Sequence, residues 1–314
     1  MRAGSGAALA VLMASATAAI MLPAPASAQV PAPPAASQNP SPMVEATRAH
    51  ERLTRGEIAG RISSFVGPGG RAVEMVLPDA ARELAAVDLV VHFHGAAWLP
   101  MQAAALQPTP AVVAVVNLGA GSGGYDRAFT DPAAFDSLLA GVTRELSGAG
   151  PRGDRIGSVT LVGFSAGHGA IRAILREPRH FERVNAVLLL DGLHTSYLPE
   201  RTVLADGGVL DPSNLASLAD FARAAARGEK RFVVTHSEIF PGTFASTTET
   251  ADWLLAELGL RRIAVLRWGP RGMQQLSETS VGRFEVLGFA GNSAPDHIDH
   301  LHGLPEFLSR TWER

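Results

Sequence analysis

Short, wholly apolar runs alternate with longer helical patterns from about residue 60 to the end of this 314-residue chain, and that alternation leaves few folds open. A run such as Asp88-Leu89-Val90-Val91 or Val187-Leu188-Leu189-Leu190 is apolar on both faces. A strand of that kind is buried on both sides, as in a parallel sheet covered by helices. Eight strand candidates stand at 60–66, 72–77, 88–93, 111–117, 157–162, 184–190, 231–235 and 283–289. Helical patterns occupy 132–146, 165–176, 214–227 and 247–258. The expected fold class is therefore α/β, a mostly parallel eight-stranded sheet flanked by helices. Residues 262–268 also have strand character, which leaves the strand order near the end open. A charged helical pattern from Val44 to about Arg55 is expected on the domain surface.

With 46% apolar and 18% charged residues the chain can bury a full core. A formal net charge of -3 with both signs interspersed gives no reason to expect nucleic acid or an anionic membrane surface as partner. Arg2, the apolar stretch Ala7 to Leu22 and the small residues Ala26-Ser27-Ala28 form the three parts of a secretory signal peptide over residues 1–28. Cleavage after Ala28, a secreted or periplasmic location and no membrane anchor in the mature protein are expected. Residues 29–43 are rich in Pro and Ala and read as a linker ahead of one domain at 44–314. There is no cysteine, which excludes thiol nucleophiles, zinc-cysteine sites and disulfides.

The chemistry centres on residues 158–169. Ser158 to Val162 has a buried-strand pattern and runs into Gly163-Phe164-Ser165-Ala166-Gly167, followed by a helix with Ala170, Ile171, Ile174 and Leu175 on one face. A serine at such a strand-turn-helix junction needs small neighbours two positions either side, because strand and helix approach closely there. Gly163 and Gly167 supply them. This arrangement resembles the nucleophile elbow of the α/β-hydrolase superfamily, and the resemblance extends over roughly residues 70–310 in order of elements. It implies an α/β-hydrolase fold with Ser165 as nucleophile. It also implies a carboxylic ester hydrolase that works through a Ser-His-Asp triad and an acyl-enzyme, with no cofactor and no metal. Segment 192–230 stands where the superfamily inserts a small cap, and the substrate would be a small molecule or an acylated one.

The same resemblance assigns the remaining roles. Val90 to Ala97 ends a strand in His94-Gly95, like the loop that helps hold the oxyanion, so the backbone N–H groups of Ala96 and Ala166 would be its donors. His94 itself would brace that loop. Near the C-terminus Asp296-His297-Ile298-Asp299-His300-Leu301-His302 precedes Pro305-Glu306, the start of a last helix. The resemblance favours His297 as base, in the loop before that helix, with His300 as the alternative and His302 structural. The acid is open between two loops. Asp191 follows the strand ending at Leu190; Glu238 follows the next strand, where many relatives carry an aspartate two residues on and this chain has Phe240. Asp191 is preferred.

Other readings compete. Gly119-x-Gly121-x-x-Gly124 matches a dinucleotide fingerprint, but the next helix is expected only near Asp131-Pro132 and no acidic strand end follows about twenty residues on. A loop beside the catalytic cleft is the simpler reading. A metal-dependent hydrolase would draw ligands from His92 and His94 together with Asp296, His297 and His300. A non-catalytic binding module on a hydrolase fold is the third. Oligomeric state is not legible.

Overall fold

The computed structural model describes residues 49–148 and 155–312; the expected signal peptide and linker lie outside them. Among the described residues ten strands form one sheet in the order β1-β2-β4-β3-β5-β6-β9-β12-β11-β10. They are β1 (Arg61–Val66), β2 (Ala72–Leu77), β3 (Ala86–Phe93), β4 (Ala111–Val116), β5 (Arg155–Phe164), β6 (Ala186–Leu190), β9 (Arg231–His236), β10 (Ile263–Trp268), β11 (Gln274–Val281) and β12 (Phe284–Phe289). From β4 through β3, β5, β6 and β9 to β12 every pairing is parallel. The pairs β1–β2, β2–β4, β12–β11 and β11–β10 are antiparallel.

The sheet thus has ten strands where eight were expected. The missed strand β11 has the right period but the wrong chemistry: its buried positions are Gln275, Ser277 and Thr279. Gln275 Nε2 bonds Ser277 O and Thr279 Oγ1 bonds Arg261 O, so polar side chains are satisfied where an apolar alternation would have announced a strand.

Side chains alternate across the central strands, and each face has its own core. On one, Val87, Leu89, Val91 and Phe93 of β3 pack with helices α2 (Ser122–Thr130), α3 (Pro132–Gly148), α4 (His168–Leu175), α6 (Ala216–Ala226) and α7 (Thr247–Glu257). On the other, Val90, Val162, Leu188 and Val233 pack with α1 (Trp98–Ala105), α8 (Ala294–His302) and α9 (Leu304–Ser309). Between α4 and β6 runs the short α5 (Pro178–Arg183). The excursion after β6 carries a two-stranded ribbon, β7 (Tyr197–Leu198) with β8 (Val209–Leu210), before the chain returns to the helix layer at α6. Among the described residues no helix is long and apolar enough to cross a membrane.

Two local expectations need correction. Of the helical pattern expected from Val44 to about Arg55, residues 44–48 lie outside the described residues and 49–55 are not helical. Their polar groups are taken by α8 instead: Arg52 Nη1 lies 2.6 Å from Asp299 Oδ1, and Leu53 N–H donates to His302 Nδ1 at 2.9 Å. The helix after the glycine-rich loop begins at Ser122, well before Asp131. Gly123 and Gly124, poor helix formers, concealed its first turn.

Candidate active site

Strand β5 ends at Phe164 and the chain turns at Ser165, whose φ is +48°, into a single 3-10 turn and then α4. A left-handed serine costs free energy that only the surrounding structure can offset. The approach is close enough to require glycine at 167 and is tight at 163. A Cβ on Gly167 would lie 2.2 Å from Phe93 O, and one on Gly163 would lie 3.0 Å from Ile171 Cδ1. His168 then ties the turn, its Nδ1–H donating to Ser165 O at 2.9 Å.

Asp191 follows β6 and is also left-handed, with φ +41°. Gly192 beside it lies directly on the serine turn, since a Cβ there would be 2.6 Å from Ser165 O. Although 2% exposed, the Asp191 carboxylate is fully partnered. Oδ1 accepts from Ser237 N at 2.9 Å and from Thr247 Oγ1 at 2.6 Å. Oδ2 accepts from Ser237 Oγ at 2.8 Å and from His297 Nδ1 at 2.7 Å. Burial alone would raise its pKa. The nearby His300, the bond and charge of His297 and the bond from Thr247 outweigh burial and hold the carboxyl well below the usual carboxylate range.

His297 stands on α8, not in the loop before the last helix. Ser293 caps α8, and Pro295 sits in its first turn, so the helix begins early enough to take in the histidine. The His297 ring stacks on Phe164 at 4.6 Å between centroids. His300, one turn on, is 1% exposed and has its Nδ1 2.7 Å from Thr235 Oγ1; burial, chiefly, depresses its pKa to about 4. His302 accepts the Leu53 N–H, a structural contact. Glu238 is exposed and Phe240 is 59% exposed.

Two cavities meet at Ser165. One of about 340 Å³ is lined by Asp191, Ile239, Pro241, Ala294 and His297 among others. The other, about 460 Å³, is lined by His94, Gly121, Ala166, His168, Arg172 and Asn214 among others. Ser165, His194 and Phe244 border both. Ala120 and Gly121 of the glycine-rich loop border the larger cavity together with Ser122 and Gly123, which the structure puts in the first turn of α2. His194, Phe244 and Gly192 were not singled out in the sequence, and only Gly192 carried a local signal, as the small residue after a strand-ending aspartate.

A mostly parallel sheet that delivers a left-handed serine from a central strand to a helix decides the fold. This is an α/β-hydrolase fold. No protein-family model matches the chain, and no curated protein matches it. Among solved structures it is similar to Est1E from Butyrivibrio proteoclasticus, at 9% identity over 81% of this chain and 100% of that one, TM-score 0.42. It is similar to the feruloyl esterase module from Clostridium thermocellum at 13% identity, 86% and 97% coverage and TM-score 0.42. Poly(aspartic acid) hydrolase-1 from Sphingomonas sp. KT-1 matches at 12% identity, 82% and 100% coverage and TM-score 0.46.

Within this hydrolase fold the two expected oxyanion donors part company. Ala166 lines the larger cavity and Ala96 lines neither. The proposed metal ligands are not assembled. His92 Nε2 is spent on His94 O at 2.8 Å, His297 Nδ1 on Asp191 and His300 Nδ1 on Thr235. Among the described residues the one group with ligand atoms clustered as a metal would need is His50, Asp296 and Asp299, of which only Asp296 belonged to that set. His50 and Arg52 already pair with Asp299, and Asp296 caps α8 through Ser293.

Proposed function

We propose that this chain is a serine hydrolase acting on carboxylic esters, with Ser165 as nucleophile, His297 as base and Asp191 as the group that orients the base. The observation that carries this reading is the 2.7 Å bond from His297 Nδ1–H to Asp191 Oδ2 beside a cavity that Ser165 also lines. An ionised Asp191 holds the imidazole in the tautomer whose Nε2 bears the lone pair. Nε2 takes the Ser165 proton as Oγ attacks the ester carbonyl. The tetrahedral adduct collapses as His297 returns that proton to the departing alkoxide, leaving Ser165 acylated. Water then repeats the cycle in reverse and releases the acid.

The two cavities meeting at Ser165 support an ester with unlike halves. Ile239, Pro241 and Ala294 favour an apolar group on one side; Arg172, Asn214 and His168 favour a hydrogen-bonding one on the other. We also infer export, on the three-part pattern of residues 1–28.

Ser165→Ala removes one oxygen from a cavity wall. It should abolish hydrolysis of p-nitrophenyl butyrate and labelling by a fluorophosphonate, while the melting temperature stays within a few degrees. A variant that keeps near-native turnover would sink the serine mechanism.

A further inference from the structure

The proposed hydrolysis needs more than one hydrogen-bond donor for the carbonyl oxygen as it becomes negative, and Ala166 is the only expected donor residue that lines the cavities at Ser165. His94 lines the same cavity as Ser165 and Ala166. We propose that His94 is a further catalytic residue of this site, its neutral imidazole donating Nε2–H to the oxyanion.

The tautomer follows from a chain of hydrogen bonds that ends on His94. Leu118 N–H donates to the Tyr125 hydroxyl at 3.1 Å, and that hydroxyl lies 3.1 Å from His94 Nδ1. Tyr125 is fully buried, and among the described residues its phenolic hydrogen has no acceptor other than His94 Nδ1. Were Nδ1 protonated, that hydrogen would be orphaned in the core, a cost the arrangement avoids when tyrosine donates to the ring. The hydrogen of a neutral His94 is then on Nε2, which has no partner among the described residues. Burial, and the charge of His297 once that ring has taken a proton, depress the pKa of His94, which favours a neutral ring beside the base.

The backbone is built around this placement. His94 has φ +74°, an uncommon conformation for a residue other than glycine, though histidine adopts it more readily than most. Its N–H donates to Val116 O at 3.2 Å and its carbonyl accepts from His92 Nε2 at 2.8 Å. The next residue is clamped from both sides, Gly95 N donating to Asn117 Oδ1 and Gly95 O accepting from Asn117 Nδ2. The His94 ring stacks near-parallel to Phe164 at 5.9 Å, and Phe164 carries the His297 ring as well. Loop bracing accounts for Nδ1 and the main chain; it leaves Nε2–H without a partner among the described residues, on a side chain that lines the cavity.

This inference rests on the serine reading, and the experiment separates the two. His94→Phe keeps a ring against Phe164 and removes the donor; His94→Gln keeps an N–H at similar reach. With p-nitrophenyl butyrate, His94→Phe should lose about 10²–10³ in kcat with KM changed by less than about threefold. Affinity for an alkyl trifluoromethyl ketone, whose adduct with Ser165 carries the same oxyanion, should fall in proportion. His94→Gln should recover at least about tenfold of the loss. NMR of the imidazole nitrogens in the wild-type protein should report the Nε2–H tautomer, which needs no variant to fold. Turnover of His94→Phe near wild type, a loss confined to KM, or the Nδ1–H tautomer overturns the role of His94 alone. A wild type whose Ser165 is not labelled by a fluorophosphonate overturns both readings.

Discussion

Asp191 and Glu238 sit on neighbouring loops and both carry a carboxylate, yet their surroundings differ completely. Asp191 is buried under four donors, one of them His297, whereas Glu238 is exposed and lines neither cavity at Ser165. Asp191→Asn would keep the shape, remove the charge and let the imidazole settle in the wrong tautomer. A loss in kcat of about four orders of magnitude is expected with the fold retained, and Glu238→Gln should cost less than about tenfold. Steady-state kinetics of the two variants, read against their circular dichroism, checks this. A crippled Glu238→Gln beside a mild Asp191→Asn would move the acid to the later loop.

At the level of elements, the site depends on how closely the β5-α4 turn lies against β3. Gly167 is the tightest contact, because the atom a Cβ would strike at 2.2 Å is the main-chain oxygen of Phe93 and not a side chain that can swing away. Gly167→Ala should therefore destabilise by about 1–3 kcal/mol or more, seen as a lower urea midpoint, and should displace the serine as well. Gly124 in α2 is the opposite case. A Cβ there meets only Leu118 O, at 3.8 Å, and the backbone is helical. Gly124→Ala should raise stability by up to about 1 kcal/mol. A neutral Gly167→Ala would mean that β3 and the turn are not in contact as described.

Taken as a whole, the molecule buries several histidines that must stay uncharged. Burial is the largest cause that depresses His92 and His300 to about 4 and His168 to about 3, against an ordinary value of 6.5. The unfolded chain takes up these protons near 6.5 and the folded chain refuses them until about 4 or 3. Stability from this source is complete above the unfolded value and is lost as pH falls through that window. Asp191, depressed below its ordinary 3.8, adds a loss of the same sign at lower pH. The urea midpoint should be flat at neutral pH and above, with a loss on the order of 2 kcal/mol per buried histidine by about pH 5. A flat profile down to that pH would show that these rings are not held neutral. The proposed export also belongs to the whole chain: mature protein from the native host should begin at Gln29 by intact mass, and a retained Met1 would refute cleavage.

What the sequence determined by itself was local. Doubly apolar runs located β3 to β6 and β9, because a strand buried on both faces has little room for polar residues. Glycines two positions either side of Ser165 announced the turn, since close approach of main chains excludes a Cβ. β11 escaped because its buried face is polar and its hydrogen bonds are satisfied only by neighbours in space. The position of His297 within α8 was hidden by a helix start set by Ser293 and Pro295. Which histidine meets which carboxylate was decided by the tertiary structure. Asp191 and His297 lie 106 positions apart, and only the order of β6, β9 and β12 in the sheet brings the loop after one strand against the helix after another. Periodicity reports the environment of an element along its own axis; the partner across a sheet leaves no trace in it.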